Sequence, residues 1–536
     1  MSAPFVSRPL GTLGLVAIAG TAACEAPTDL ATVDRVVVAM GGHDAVGAVT
    51  NERVVAHGDR YFPGQGTSYT ESRHLSKLSY VRTLELDEDR LRVEHDHEHV
   101  YLYDGRYQFT EVVDGTAGFL EGQDAVYPTP PESAMLSSRV TSSLAHARLT
   151  SPLRLLREVT ADPSRVVDRG TVEEDGRRYL RLAIAGPGEE PVELRIDPRT
   201  HLPVSARRWE DNPPVGDTLI EARFDDYRRV DGVAVPHRVE LRADGLPLHR
   251  EQRSSVALNV PTGPDTYAIP DEHRPPAAPY EPRLGALGER SSELMTSIKY
   301  LALPVFFFDQ DATPVGFDEL APGVMHVTGI THNSLLVEMS DHLVLVDAST
   351  PFAVRSQAVL AEIERRYPTK PIRYVVVSHF HNDHSGGVRH FVAGGGATVV
   401  VGAPSAPFYE RALAGPHTVH PDRLAEQPVA VAIQAVEDRA VLADATRTIE
   451  VRRVRTVHAN DMLVVYLPAE KLLFNADLFS PDPATNGAPI ANPKLRAHAA
   501  DLHDEVLRLG LDVETIAGAH GVGTGTLDQL RIAAGR

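Results

Sequence analysis

The chain has 536 residues, 42% of them hydrophobic and 24% charged, with a formal net charge of −20. That length calls for two or more domains rather than one core. The acidic balance lacks any Lys/Arg block and so excludes the electrostatic footprint of a nucleic-acid binder, and a single cysteine, Cys24, excludes an intramolecular disulfide.

At the start, Arg8 precedes an apolar run, Leu10–Gly20, followed by "TAAC". A basic residue, a short apolar stretch and small residues before a cut read as a signal peptide over residues 1–24. Ending on Cys24, it resembles a bacterial lipoprotein signal, which implies cleavage before Cys24 and a lipid on its sulfur. Thr21 departs from the usual leucine there, so plain cleavage after Ala23 is the alternative. Either way the chain is expected to be exported, as an envelope lipoprotein or a periplasmic protein. A lipid on Cys24 would be its one membrane contact, because no other stretch reaches the roughly 18 apolar residues needed to span a bilayer.

Residues 25–265 read as a mostly antiparallel β domain. "VYLYDGRYQFTEV" and "RRYLRLAIAG" alternate and are rich in aromatic and β-branched residues. Turns are expected at Asp197–Thr200 and at Asp231-Gly232. Helices are expected near Val33–Met40, ended by Gly41-Gly42, and near Pro152–Val159. Residues 266–317, with "PTGPDTYAIPDEHRPPAAPYEPRLG" running into them, read as a proline-rich linker and lead-in.

From 318 to 536 strands alternate with helices. "GVMHVTG", "NSLLVEMS", "HLVLVD", "IRYVVVS" and "ATVVVG" are strands, and Pro351–Arg366 is an amphipathic helix with Phe352, Val359, Leu360 and Ile363 on one side. Short and late helices are expected at Gly387–Val392 and Asp501–Leu509. The whole is α+β, with layered packing around a sheet core in this half.

The densest chemistry follows the apolar run Tyr374–Val377. There His379, His381, Asp383 and His384 fall within six positions of "SHFHNDHSGG". Side chains two apart in an extended segment point the same way, so His379, His381 and Asp383 can converge while His384 faces elsewhere. Imidazole and carboxylate suit Zn²⁺. His458, Asp477 and His520 each follow a strand-like segment of their own, His520 between Gly518 and Gly521, which let the backbone turn sharply.

This ordered set resembles that of the metallo-β-lactamase-fold hydrolases, over roughly residues 318–536. The resemblance implies an αββα sandwich and two metal ions, taken as Zn(II) with Fe or Mn as alternatives. His379, His381 and His458 would hold one metal and Asp383, His384 and His520 the other, with Asp477 bridging them. Asp347, which ends "HLVLVD", resembles the family's acidic position beside the site. The implied catalyst is a metal-bridging hydroxide, with Asp383 both ligating and orienting it. In many β-lactamases of this fold the Asp477 position is Cys or Ser. Aspartate there resembles the thioesterase, lactonase, sulfatase and phosphodiesterase branches instead.

Other residues are weighed alongside. His95, His97 and His99 share one face of a strand, read as solvated rather than metal-binding. His332 and Asn333 lie in a strand-connecting loop ahead of Asp347, from which they could reach a substrate, and are read as loop hydrogen-bonding groups. Asn460 and Asp461 follow His458 without an assigned role. His498 and His503 are read as surface residues, "AGGGATVV" as a flexible turn, and Trp209 as core edge or lipid-facing. Residues 25–265 also weakly resemble the bacterial lipoprotein-carrier fold, through "IDPRTHLP", "FDDYRRVDGVAVP" and "AMGGHDAV".

The expected function is an exported dinuclear metal-dependent hydrolase of an ester, thioester, lactone or related bond in a small-molecule substrate. A scaffold or lipid-binding envelope lipoprotein with a non-catalytic metal domain is the alternative, and a β-lactamase the third.

Overall fold

The computed structural model describes residues 30–124, 130–135, 137–186, 191–212, 214–274, 314–330, 332–349, 353–484 and 487–536. The expected signal segment with Cys24 and most of the expected linker lie outside these residues.

Thirteen strands between Asn51 and Leu258 form one sheet, antiparallel at every pairing. The first strand, Asn51–Phe62, pairs with the last, Leu246–Leu258. The order therefore runs from that central pair through hairpins to Glu132–Ala134 on one side and Val166–Glu174 on the other. The turns expected at Asp197–Thr200 and Asp231-Gly232 join Val192–Ile196 to Pro203–Asn212 and Gly216–Val230 to Val233–Ala243.

Among the described residues, four helices accompany this sheet: α1 (Ala31–Met40), α2 (His43–Gly47), α3 (Ser137–Leu149) and α4 (Pro152–Ala161). Helix α4 begins where Ser151 accepts from the Arg154 N–H and Pro152 occupies the first turn, and it buries Leu153, Leu155, Leu156 and Val159. These side chains share a core with Leu78, Leu84, Leu194 and Ala222 of the strands.

The buried face also carries charge. Arg82 pairs with Glu52 at 2.7 Å and Arg253 with Glu251 at 2.7 Å, while Arg139 meets Glu111 at 2.7 Å and Asp124 at 2.6 Å. His95, His97 and His99 lie on this buried side, which corrects the solvated reading. The alternation of "RVEHDHEH" is that of a half-buried strand, but here histidines occupy the inward positions and Glu94, Asp96 and Glu98 face out or to the side. Among the described residues no metal-competent cluster includes the three. Trp209 is half-buried on Pro203–Asn212.

The C-terminal domain packs two sheets face to face. Seven strands run in chain order from Gly316–Ala321 to Ala432–Val436, and six from Arg439–Ala443 to Thr524–Gly525. Helices α5 (Ala353–Arg366), α6 (Asn382–Ser385), α7 (Val388–Val392), α8 (Ala406–Ala414), α9 (Arg423–Glu426), α10 (Pro493–Leu509) and α11 (Leu527–Ala533) accompany them. The core between the layers is almost wholly aliphatic, with Leu335, Val344, Val376, Val400, Leu463 and Ile516 all buried. Helix α10 starts eight residues earlier than its apolar spacing indicates, because Asn492 caps it and Pro493 opens it; Gly510 ends it at φ 65° as expected. His498 and His503 on this helix are buried, which corrects their surface reading.

The two domains touch at several points, and one of them gives a pH signature. Buried Asp211, at the end of Pro203–Asn212, faces His417 at 3.7 Å. Burial, and then the nearby carboxylates of Asp422 and Asp217, push its pKa to about 7. An unfolded aspartate loses its proton near pH 3.9, so between about pH 4 and 7 only the folded chain keeps it, and stability falls as pH rises through that window. Asp211→Asn should remove this slope, raising stability at pH 8 by on the order of 4 kcal/mol and changing little at pH 4. Denaturant melts at the two pH values check it.

Candidate metal centre

The expected ligands converge from four separate chain segments. The parallel strand Ile372–Val376 delivers His379 and His381 at its end. Asp383 and His384 follow on the single turn of α6. His458 comes after Thr448–Arg453, Asp477 after Leu472–Asn475, and His520 after Thr515–Gly518. Strand ends on a packed scaffold fix such groups closely.

Two clusters result. His379, His381, His458 and Asp477 bring one ligand atom each within 4.8 Å of one another, and Asp383, His384, Asp477 and His520 do the same. Asp477 belongs to both. Its Oδ2 lies 2.7 Å from His458 Nε2 and 3.2 Å from His379 Nε2. Its Oδ1 lies 2.7 Å from His520 Nε2 and 3.0 Å from His384 Nε2.

Alternation along an extended strand put Asp383 with His379 and His381. The structure groups it with His384 instead, because the chain turns helical at Asn382. The backbone brings Asp383 together with His384, His520 and Asp477.

The donor chemistry fits cations. His458 Nε2 sits 3.1 Å from His381 Nδ1 and 3.3 Å from His379 Nε2, and His520 Nε2 sits 3.3 Å from His384 Nε2. Two neutral imidazole lone pairs at such distances repel unless a proton or metal lies between them. Burial, helped by His384, lowers the His379 pKa to about 4, and burial with His379 and His458 holds His381 far below its usual range. Burial works against ionisation of Asp383 and Asp477, yet the surrounding histidines keep both well below the usual carboxylate range. His384 goes the other way: burial disfavours its cation, but Asp477 and Asp383 raise it well above the histidine range. Neutral imidazoles beside ionised carboxylates are the state that binds a divalent metal.

Outer partners fix these side chains. Asp347, buried and at φ 62°, accepts from the Ser378 N–H at 2.7 Å and hydroxyl at 3.0 Å, and its Oδ2 lies 3.0 Å from His384 Nδ1. Asn475 pins the turn that carries Asp477, accepting from the Phe479 N–H at 2.8 Å and donating to the Phe479 and Ala517 carbonyls. Gly518 and Gly521 sit where close packing requires them: a Cβ on Gly518 would lie 2.5 Å from the His520 carbonyl, and Gly521 takes φ 94°.

Several residues near the centre were unassigned or misplaced by sequence. His332 reaches it, with Nε2 3.6 Å from Asp383 Oδ2 and its ring edge-on to His520. Asn333 keeps a loop role, donating to the Gly518 and Gly521 carbonyls. The His498 ring lies 4.8 Å from that of His458. Asp461 is buried beneath the site, its pKa pushed to about 7 by burial.

The N-terminal domain supplies a further wall. Gln65 donates to Asp383 Oδ1 at 2.8 Å, the Gly66 carbonyl lies 2.8 Å from His381 Nε2, and Arg73 donates to the His458 carbonyl at 3.0 Å. His381 Nδ1 faces the other ligands, so its Nε2–H donates to Gly66 and the tautomer is set from across the domain boundary. No local pattern in "FPGQGTSYTESR" signals this, because the partners are more than 300 residues away. Gln65→Ala should weaken metal retention about tenfold, the lower end for loss of an outer partner. Competition against a chelating dye measures it.

Residues 327–520 match the family model described as the metallo-beta-lactamase superfamily. Similar solved structures include a metallo-beta-lactamase from Pontibacter korlensis, at 19% identity and TM-score 0.32 over 41% of this chain and 98% of that one. The sec-alkylsulfatase Pisa1 from a Pseudomonas species is also 19% identical, at TM-score 0.31 over 43% of this chain and 42% of that one. Rubredoxin oxygen:oxidoreductase from Desulfovibrio gigas is 17% identical, at TM-score 0.29 over 41% of this chain and 60% of that one.

Proposed function

We propose, from the premise that the C-terminal domain has the metallo-β-lactamase fold, that this protein is a dinuclear metal-dependent hydrolase. Its substrate class is an ester, thioester, lactone or related bond in a small molecule. The observation that carries the reading is Asp477, whose two carboxylate oxygens face two different histidine pairs, His379 with His458 and His384 with His520, each pair belonging to a separate trio of candidate ligands.

Two metal ions held by these trios would supply Lewis acidity and activate a water at neutral pH. The chain's own residues do the rest. His379, His381 and His458 present ring nitrogens to one position, and Asp383, His384 and His520 face the other. Gln65 holds one oxygen of Asp383, leaving the other turned toward His384 and His332. The reacting atoms would be gripped between rigid strand ends, which is the geometry that lowers an orientation barrier. Zinc is the proposed metal, given three imidazoles at one position. Export is proposed from the apolar run ending at Cys24.

A panel of p-nitrophenyl esters, acyl thioesters, lactones, an alkyl sulfate and a chromogenic cephalosporin tests it, with metal-free and zinc-reconstituted protein compared. Zinc-dependent turnover of the acyl substrates supports the proposal. Turnover of none of them by protein carrying two zinc would turn the reading to a binding lipoprotein, and turnover of the cephalosporin alone to a β-lactamase.

A further inference from the structure

A cleft of about 650 Å³ opens where the two domains meet beside the metal centre. That is the size of a small-molecule site. Its walls are apolar at Val100, Tyr101, Val457, Pro493 and Ala497. Val457 is 61% exposed although it precedes a metal-site histidine. Burial raises the Tyr101 phenol above its usual range against the opposing pull of the Arg73 guanidinium beside it.

Cations gather here in a chain of net charge −20, with Arg73 and Lys494 lining the cleft and Glu71 the only acid among its described lining residues. Lys494 is engaged, by the Val100 carbonyl and by Asp104. Arg73 is different. Its Nε donates to the Gln65 carbonyl at 2.9 Å, its Nη2 to the His458 carbonyl at 3.0 Å, and its guanidinium lies 4.6 Å from the centre of the Tyr101 ring. These contacts use two of the five N–H donors of a guanidinium and lock its plane. A fork already oriented loses little entropy when its remaining donors meet an oxyanion.

We propose that this cleft binds the part of the substrate remote from the scissile bond, and that it takes an apolar group ending in a carboxylate or similar oxyanion, received by Arg73. The assignment rests on the hydrolase reading, because it sets the reacting bond at Asp477 and the tail in the cleft. The N-terminal domain is then part of the active site, a specificity element rather than an appendage.

Calorimetric titration of the zinc-loaded full chain with glutarate and with butyrate tests the cleft without turnover, since one carboxylate of each can reach the metals and only glutarate has a second. Hydrolysis of p-nitrophenyl butyrate and of the mono-p-nitrophenyl ester of glutarate tests it with turnover. Glutarate is expected to bind about tenfold or more tightly than butyrate, and the half-ester to be favoured by a similar factor through KM. Arg73→Met should bring both ratios to about one. Should that variant lose zinc, Arg73→Lys, which keeps charge without the fork, should show a reduced preference.

Equal binding of glutarate and butyrate by the unaltered protein overturns the assignment. So does a full preference retained in either variant. If neither ester turns over, the hydrolase reading fails at that class while the calorimetric ratio still decides the cleft.

Discussion

Asp477→Ala is expected to lose hydrolysis and metal together. Losing an outer partner of a metal ligand costs about 10–100-fold in affinity or activity. Asp477 is an inner ligand candidate shared by both positions, so its removal should exceed the top of that range. The change leaves three imidazoles at one position and a carboxylate with two imidazoles at the other, with no shared anion between them. Four histidine nitrogens also lose their carboxylate neighbour at 2.7–3.2 Å. The fold should survive, because Asn475 still pins the turn through Phe479 and Ala517. Elemental analysis, a hydrolysis assay and circular dichroism on the same sample check the three parts. Intact zinc stoichiometry in this variant would show that Asp477 does not bridge.

Asp347→Ala should have the next largest effect, and it should fall on stability as well as metal. Asp347 is fully buried, at φ 62°, where aspartate and asparagine are tolerated better than alanine. The change strands the Ser378 N–H and the His384 Nδ1 side in a dry environment. Each unsatisfied group costs about 1–3 kcal/mol and the backbone strain about 1 kcal/mol more, so a loss of roughly 3–7 kcal/mol is expected. His384 also loses the partner that fixes its ring, so zinc affinity should fall by about 10–100-fold. Asp347→Asn should recover most of the stability, since it tolerates the same backbone and keeps one acceptor. Urea unfolding and zinc titration of both variants separate the two effects. Equal destabilisation in the asparagine variant would show that the charge, rather than the geometry, matters.

The sequence carried the strand ends well. Aliphatic runs such as "YVVV" and "HLVLVD" can bury both faces only in a sheet covered on both sides, so the positions of His379 and Asp347 followed from composition. Alternation failed two residues later, at Asn382, because a single helical turn is too short to leave a periodic signal. His498 was misplaced for a related reason: helix α10 begins at an Asn-Pro capping pair, and without that start its buried face is read from the wrong turn. The histidines of Arg90–His99 show the opposite limit, since a strand's period gives two faces but not which one is buried when polar residues occupy both. Gln65, Gly66, Arg73 and Tyr101 were illegible altogether. Their roles depend on how a hairpin loop and a strand-connecting segment of one domain meet a site in another, and no local pattern encodes that.

The most direct test of the dinuclear centre is the zinc content of residues 25–536, purified without chelator and then reconstituted. About two zinc per chain is the predicted result. One or none after reconstitution would contradict it.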